Sequence, residues 1–137
     1  MPELPEVETL KRELGRVLVG KKIKTFQSEK FALDLAGKKI LSVDRRAKIL
    51  VFKLTGKKYL LIHLKLTGQL IFKPKRGKMI VGGHPEDPEK YTRAVFTFTD
   101  GGQLLFNDLR RFGWLKLLDP AASEKVLDAH GIEPLGK

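Results

Sequence analysis

Pro2 follows the initiator methionine, a context in which methionine is normally removed, so its nitrogen is expected to be a free secondary amine. An α-amino group titrates near ~7.7–8.0, far below the ~10.4 of lysine, so a useful fraction is uncharged near neutrality. Such an amine can attack an electrophilic carbon and form an iminium, or Schiff-base, intermediate. With Met1 retained the same nitrogen would be a tertiary amide and inert. Taken alone, Pro2 reads more readily as a residue that helps enter a helix. Glu3 and Glu6 lie beside it, where a carboxylate can protonate a leaving sugar oxygen or shuttle protons. Their simpler reading is charge complementation at a helix N-terminus. Lys48 ends the run Arg45-Arg46-Ala47-Lys48 between two predicted strands. A basic cluster there usually solvates a surface, but it also suits a phosphate contact.

A second constellation is Asn107-Asp108-Leu109-Arg110-Arg111-Phe112-Gly113, an aromatic beside two arginines at a sharp junction between strands. Phe112 could wedge into a base stack while Arg110 reaches the opposing strand, or Phe112 could simply sit in the core. Leu66, in His63-Leu64-Lys65-Leu66-Thr67-Gly68, lies on another tight turn where an apolar tip offers a second wedge. A core leucine is its plainer reading.

These residues need elements to position them. Val7, Leu10, Leu14, Val17 and Leu18 recur at helical spacing, predicting an amphipathic helix over residues 6–18 that ends near Gly20. Beyond it the period shortens to two. Strands are expected at 22–28, 39–44, 49–54, 59–64, 69–73, 93–99, 103–107 and 113–118, with hairpin turns at 55–57 and 100–102. Eight short strands point to an antiparallel sandwich or barrel. Residues 74–90, rich in Gly and Pro, read as one long, mobile loop, and a short helix is expected at 121–129. Residues 1–130 form one expected domain, with 131–137 as the start of a linker.

Bulk composition narrows the partners. Lys plus Arg number 27 against 16 for Asp plus Glu, a net charge of +11, which favours a polyanion, first of all nucleic acid. There is no cysteine, which excludes disulfides, a cysteine nucleophile and cysteine-ligated zinc within this chain. His63, His84 and His130 lack metal-ligand spacing, so neither metal nor cofactor is expected here. The acidic, proline-containing start is not a signal peptide, and no apolar run is long enough to span a membrane, so a cytoplasmic protein is expected.

Taken together, five segments resemble the formamidopyrimidine-DNA glycosylase family. They are Pro2-Glu3-Leu4-Pro5-Glu6-Val7-Glu8-Thr9, Arg45-Arg46-Ala47-Lys48, His63-Leu64-x-x-Thr67-Gly68, Asp108-x-Arg110-Arg111-Phe112-Gly113 and Gly131-Ile132-Glu133-Pro134-Leu135, in family order. The resemblance implies a two-layer antiparallel β-sandwich with the N-terminal helix packed against it. It also implies a bifunctional repair enzyme that flips an oxidised purine from damaged double-stranded DNA, removes it, and nicks the strand. By similarity, Pro2 attacks C1′, Glu3 donates the proton, Glu6 supports the network, and Lys48 serves β-elimination. Arg110 and Phe112 match residues that fill the gap left by the flipped base. Leu66 stands where the family usually carries an intercalating methionine, Lys65 where it carries glycine, and Tyr91 where a DNA-contacting histidine is expected. The family's helix–two-turn–helix and zinc finger have no counterpart in these residues, so this chain alone is expected to show little or no turnover on duplex substrates; a monomer is expected. The alternative is a non-enzymatic DNA-binding module derived from the same fold. An RNA- or ribosome-associated β domain would explain the charge but not the five ordered motifs.

Overall fold

The computed structural model describes residues 4–65, 68–83, 92–108 and 113–129. Pro2, Glu3, Leu66, Tyr91, Arg110, Phe112 and the expected linker therefore lie outside the described residues. So do residues 84–90 of the expected loop, and Thr67.

Helix α1, Leu4–Leu18, forms where the sequence predicts, with Pro5 in a first turn that needs no amide donor. Its Val7, Leu10, Leu14 and Leu18 are buried, and Val17 packs at the margin of the same core. Nine strands follow among the described residues: β1 Ile23–Ser28, β2 Ile40–Arg46, β3 Ile49–Leu54, β4 Lys58–His63, β5 Gly68–Lys73, β6 Ile80–Gly83, β7 Thr92–Phe98, β8 Gln103–Asp108 and β9 Trp114–Leu118. Helix α2, Pro120–Ala129, ends the described chain.

The strands make two antiparallel sheets, in the orders β1-β7-β8-β5-β6 and β2-β3-β4-β9. Alternation on each inner face sends Leu50, Phe52, Leu60 and Ile62 from one sheet against Leu70, Phe72, Phe96, Leu104 and Phe106 from the other. Burying each of these side chains contributes about 1.5–3 kcal/mol. Helix α1 touches β2 and β6, the edge strands of the two sheets, so it lies across one open side of the sandwich.

All eight strands read from the sequence are present, and the sandwich with its N-terminal helix is as expected. The added strand, β6, falls within the stretch read as a continuous loop. Four residues ending in Gly82-Gly83 carry too little alternation to signal a strand. Pairing of β6 with β5, from Phe72 opposite Ile80 to Gln69 opposite Gly83, supplies the order that local sequence does not.

Helix α2 covers part of the outer face of the four-stranded sheet, where Leu127 packs with Ile49, Val51 and Leu61. Asp119 caps it: Oδ1 accepts the Ala122 amide at 2.7 Å, and Pro120 takes the first helical position.

Candidate nucleic-acid interface and active site

Strand register brings the described residues that flank the predicted site segments to one end of the sandwich. In the four-stranded sheet Arg46 pairs with Ile49, Ile49 with His63, and His63 with Trp114, so the β2–β3 turn and the adjoining ends of β4 and β9 are level. In the five-stranded sheet Gly68 pairs with Asp108, and Gln69 with both Asn107 and Gly83. Thr92 also pairs with Asn107. The segments bearing Lys48, Leu66, Tyr91, and Arg110 with Phe112 thus all leave from and return to this front end. Two of them, following His63 and Asp108, carry the chain from one sheet to the other.

Lys48 sits in the two-residue turn Ala47-Lys48 and is half-buried. Ala47 has φ 49°, a left-handed conformation that costs an L-residue about 1–2 kcal/mol. Lys48 lines a small cleft with Val7, His63, Leu64 and Lys65, so the first turns of α1, the β2–β3 turn and the β4–β5 connection converge there. Glu6 is exposed on the first turn of α1.

Glu8 fixes α1 to that turn. Its carboxylate accepts Arg45 Nε at 2.6 Å and Arg12 Nε at 2.8 Å, with Lys11 Nζ at 3.5 Å. The Arg45 hydrogen bond, followed by that from Arg12, holds the Glu8 carboxyl down at about 2. Arg45 also donates through Nη1 to the Ala47 carbonyl at 3.3 Å, tying helix, strand end and turn together. The Arg45-Arg46 pair is therefore not a simple solvated cluster. Arg46 is buried, with Nη2 bonded to Glu124 of α2.

The two sheet-crossing connections are held by backbone approach and a buried carboxylate. The Gly68 amide donates to Leu64 O at 2.8 Å, and a Cβ at Gly68 would lie 2.2 Å from that oxygen. Lys65 has φ 54°, the conformation that explains why glycine suits this position, and its amide donates to His63 Nδ1 at 3.1 Å. Asp108 is fully buried; its Oδ2 accepts the Gly113 amide at 2.6 Å and its carbonyl accepts Arg93 Nε at 2.9 Å. A Cβ at Gly113 would lie 2.8 Å from both His63 O and Phe106 Cζ. Residues flanking the Arg110 and Phe112 segment are therefore clamped from both sheets. Thr92, next to Tyr91, is held by Oγ1 to Asn107 Oδ1 at 2.7 Å, and Asn107 Nδ2 donates to Gln69 Oε1 at 3.3 Å.

Sequence reasoning missed this supporting set. Asp108 and Gly113 were visible as the ends of one motif, five apart. Glu8 with Arg45, and Arg93 with Asp108, join residues remote in sequence and left no local signal. Among the described residues no cluster of His, Asp and Glu could hold a metal ion, and no helix is long and apolar enough to cross a membrane.

Comparison with known proteins accounts for this arrangement. Residues 1–115 match the family model of the formamidopyrimidine-DNA glycosylase N-terminal domain. The formamidopyrimidine-DNA glycosylase of Carboxydothermus hydrogenoformans is 37% identical over 139 residues, covering 93% of this chain and 49% of that protein. That of Streptococcus pneumoniae is 38% identical, covering 96% and 47%. Among solved structures, the Lactococcus lactis Fpg in complex with DNA containing an abasic site superposes with a TM-score of 0.79 at 29% identity, over 96% of this chain and 49% of that one. MutM in complex with DNA containing carbocyclic 8-oxo-G gives 0.76 at 29% identity, over 93% and 49%. The chain thus spans about half the length of the relatives it matches, and it belongs to the formamidopyrimidine-DNA glycosylase family.

Proposed function

We propose that the chain carries the catalytic half of a base-excision repair enzyme, a DNA glycosylase with AP-lyase chemistry that acts on oxidised purines in damaged duplex DNA. The observation that carries this reading is the convergence of the α1 start, the Lys48 turn and both sheet-crossing connections at one end of the sandwich. The Pro2 nitrogen, freed of Met1, attacks C1′ of the damaged nucleotide as the bond to the base breaks, and Glu3 supplies a proton as the sugar ring opens. The resulting iminium acidifies the C2′ proton. Its removal, served by Lys48, expels the 3′ phosphate and nicks the strand. Glu6 supports proton movement at the helix start. Arg110, Phe112 and Leu66 occupy the space of the flipped nucleotide, and Tyr91 donates to a phosphate.

The family relatives crystallised with abasic-site and 8-oxo-G DNA support this substrate class. Because the chain spans about half of them, we expect measurable DNA binding with little turnover on a duplex containing 8-oxoguanine. The decisive experiment is borohydride trapping on an abasic oligonucleotide, with intact mass establishing loss of Met1. A covalent adduct that disappears in Pro2→Gly supports the mechanism. No adduct from Met-free protein that binds the DNA would sink it and leave a binding module.

A further inference from the structure

We propose that the end of the sandwich opposite the candidate active site is a second duplex-DNA-binding surface, so that one chain can bridge two duplex segments; the bridging rests on the front end binding DNA as read above. The rear end gathers the helix exit Lys21-Lys22, the β2 entry Lys38-Lys39 and the β3–β4 turn Lys57-Lys58. The connection between β5 and β6 adds Lys75, Arg76 and Lys78, all exposed. These segments are brought together by the fold. Lys22 forms a β-bridge with Lys39, Lys38 Nζ lies 3.5 Å from where a Gly56 Cβ would be, and the Lys75 side chain comes within 3.1 Å of the corresponding point on Gly101.

The charge arrangement is unfavourable by itself. Like charges placed directly opposite on a ladder destabilise it, and Lys22 faces Lys39 with both side chains exposed. The carboxylates at the strand ends here are already engaged. Asp100 is ion-paired with Lys21, which together with the Gly102 amide lowers its pKa, and Asp119 caps α2. A polyanion would relieve the repulsion and release its own counterions.

The chemistry favours duplex nucleic acid. Among the described residues Tyr59, the aromatic beside the Lys57-Lys58 turn, is half-buried against the Leu127 cluster with Lys53 over its ring, so it offers no open platform for stacking the bases of single strands. Val19, Leu41 and Met79 are exposed here, but singly and on separate segments, not on the single amphipathic face that seats in a bilayer.

The test loads the chain onto an immobilised abasic duplex at low salt and measures capture of a second, fluorescent, undamaged duplex. Capture is expected with the wild-type chain, a drop of roughly tenfold or more in the combined Lys22→Gln, Lys39→Gln, Lys57→Gln, Lys58→Gln variant, and retention when the same positions become Arg. Equal capture by the Gln variant would overturn the proposal. Preferential capture of duplex RNA, or of phosphatidylserine vesicles at matched anionic charge, would overturn the assignment to DNA. Loading of the first duplex is read separately with Lys48→Ala. If that loading is insensitive to Lys48 yet lost in the rear Gln variant, the reading of the front end fails, not that of this surface. If loading depends on Lys48 but no second duplex is captured, this inference fails alone.

Discussion

Two residues at the front end are held in backbone that their side chains disfavour, while a glycine is required for a different reason. Ala47 and Lys65 adopt positive φ, and Gly68 is needed because Leu64 leaves no space for a Cβ. The cases respond oppositely to mutation. Ala47→Gly relieves left-handed strain and is expected to stabilise the chain by about 0.5–1 kcal/mol after the entropy cost of glycine. Gly68→Ala drives a methyl into backbone and is expected to cost about 3 kcal/mol or more. Denaturant midpoints measure both. A destabilised Ala47→Gly variant, or a Gly68→Ala variant as stable as wild type, would refute the corresponding geometry. Arg46 adds a third case. Its Nη2 bonds Glu124, while Nε and Nη1 are buried with no hydrogen-bond partner among the described residues. Glu124→Gln should therefore destabilise by about 1–2 kcal/mol, moderated by the half-exposed carboxylate, whereas Arg46→Met should be neutral or stabilising. If Arg46→Met proves the more damaging change, the guanidinium has a role beyond this pair.

At the scale of elements, the question is what keeps the α1 start beside Lys48. Apolar packing of Val7, Leu10 and Leu14 holds the helix against the sandwich, but its polar tie to the β2–β3 turn is the Glu8–Arg45 pair. Because Glu8 is depressed from 4.5 to about 2, its contribution is complete above the unfolded value and is lost as pH falls through the folded one. The stability gap between wild type and Glu8→Gln should be constant at neutral pH and narrow between about pH 5 and pH 2. A gap independent of pH across that window would mean the carboxylate charge contributes nothing. The variant should also trap less abasic DNA, since the amine is then less firmly held. This tie marks the boundary of what sequence could reveal. Helix α1 and eight strands were legible because their apolar periodicity is local. Strand β6 and the Glu8–Arg45 tie were not, because each depends on a partner far along the chain. The candidate residues themselves were legible as motifs. The convergence of the described segments that flank them is a property of register, which no single segment encodes.

Across the whole molecule, the excess of 27 basic over 16 acidic residues acts on folding and on binding with opposite sign. In the free chain the net charge of +11 is self-repulsive, most directly where Lys22 faces Lys39. Salt shortens the screening length from about 30 Å at 0.01 M to about 8 Å at 0.15 M, which should relieve that repulsion. The same salt weakens the exposed ion pairs, but each contributes only about 0–1 kcal/mol, so the net effect should favour the fold. DNA binding should respond the other way. With counterions released at each phosphate contact, affinity should fall by about a thousandfold between 50 and 200 mM salt if some six contacts form. Thermal melts and duplex titrations over one salt series test both arms together. Melting temperature should rise as affinity falls. A melting temperature that falls in parallel with affinity would mean that specific ion pairs, Glu8–Arg45 and Arg46–Glu124 foremost, outweigh the general repulsion, and that the basic surfaces are less strained in the free chain than their geometry indicates.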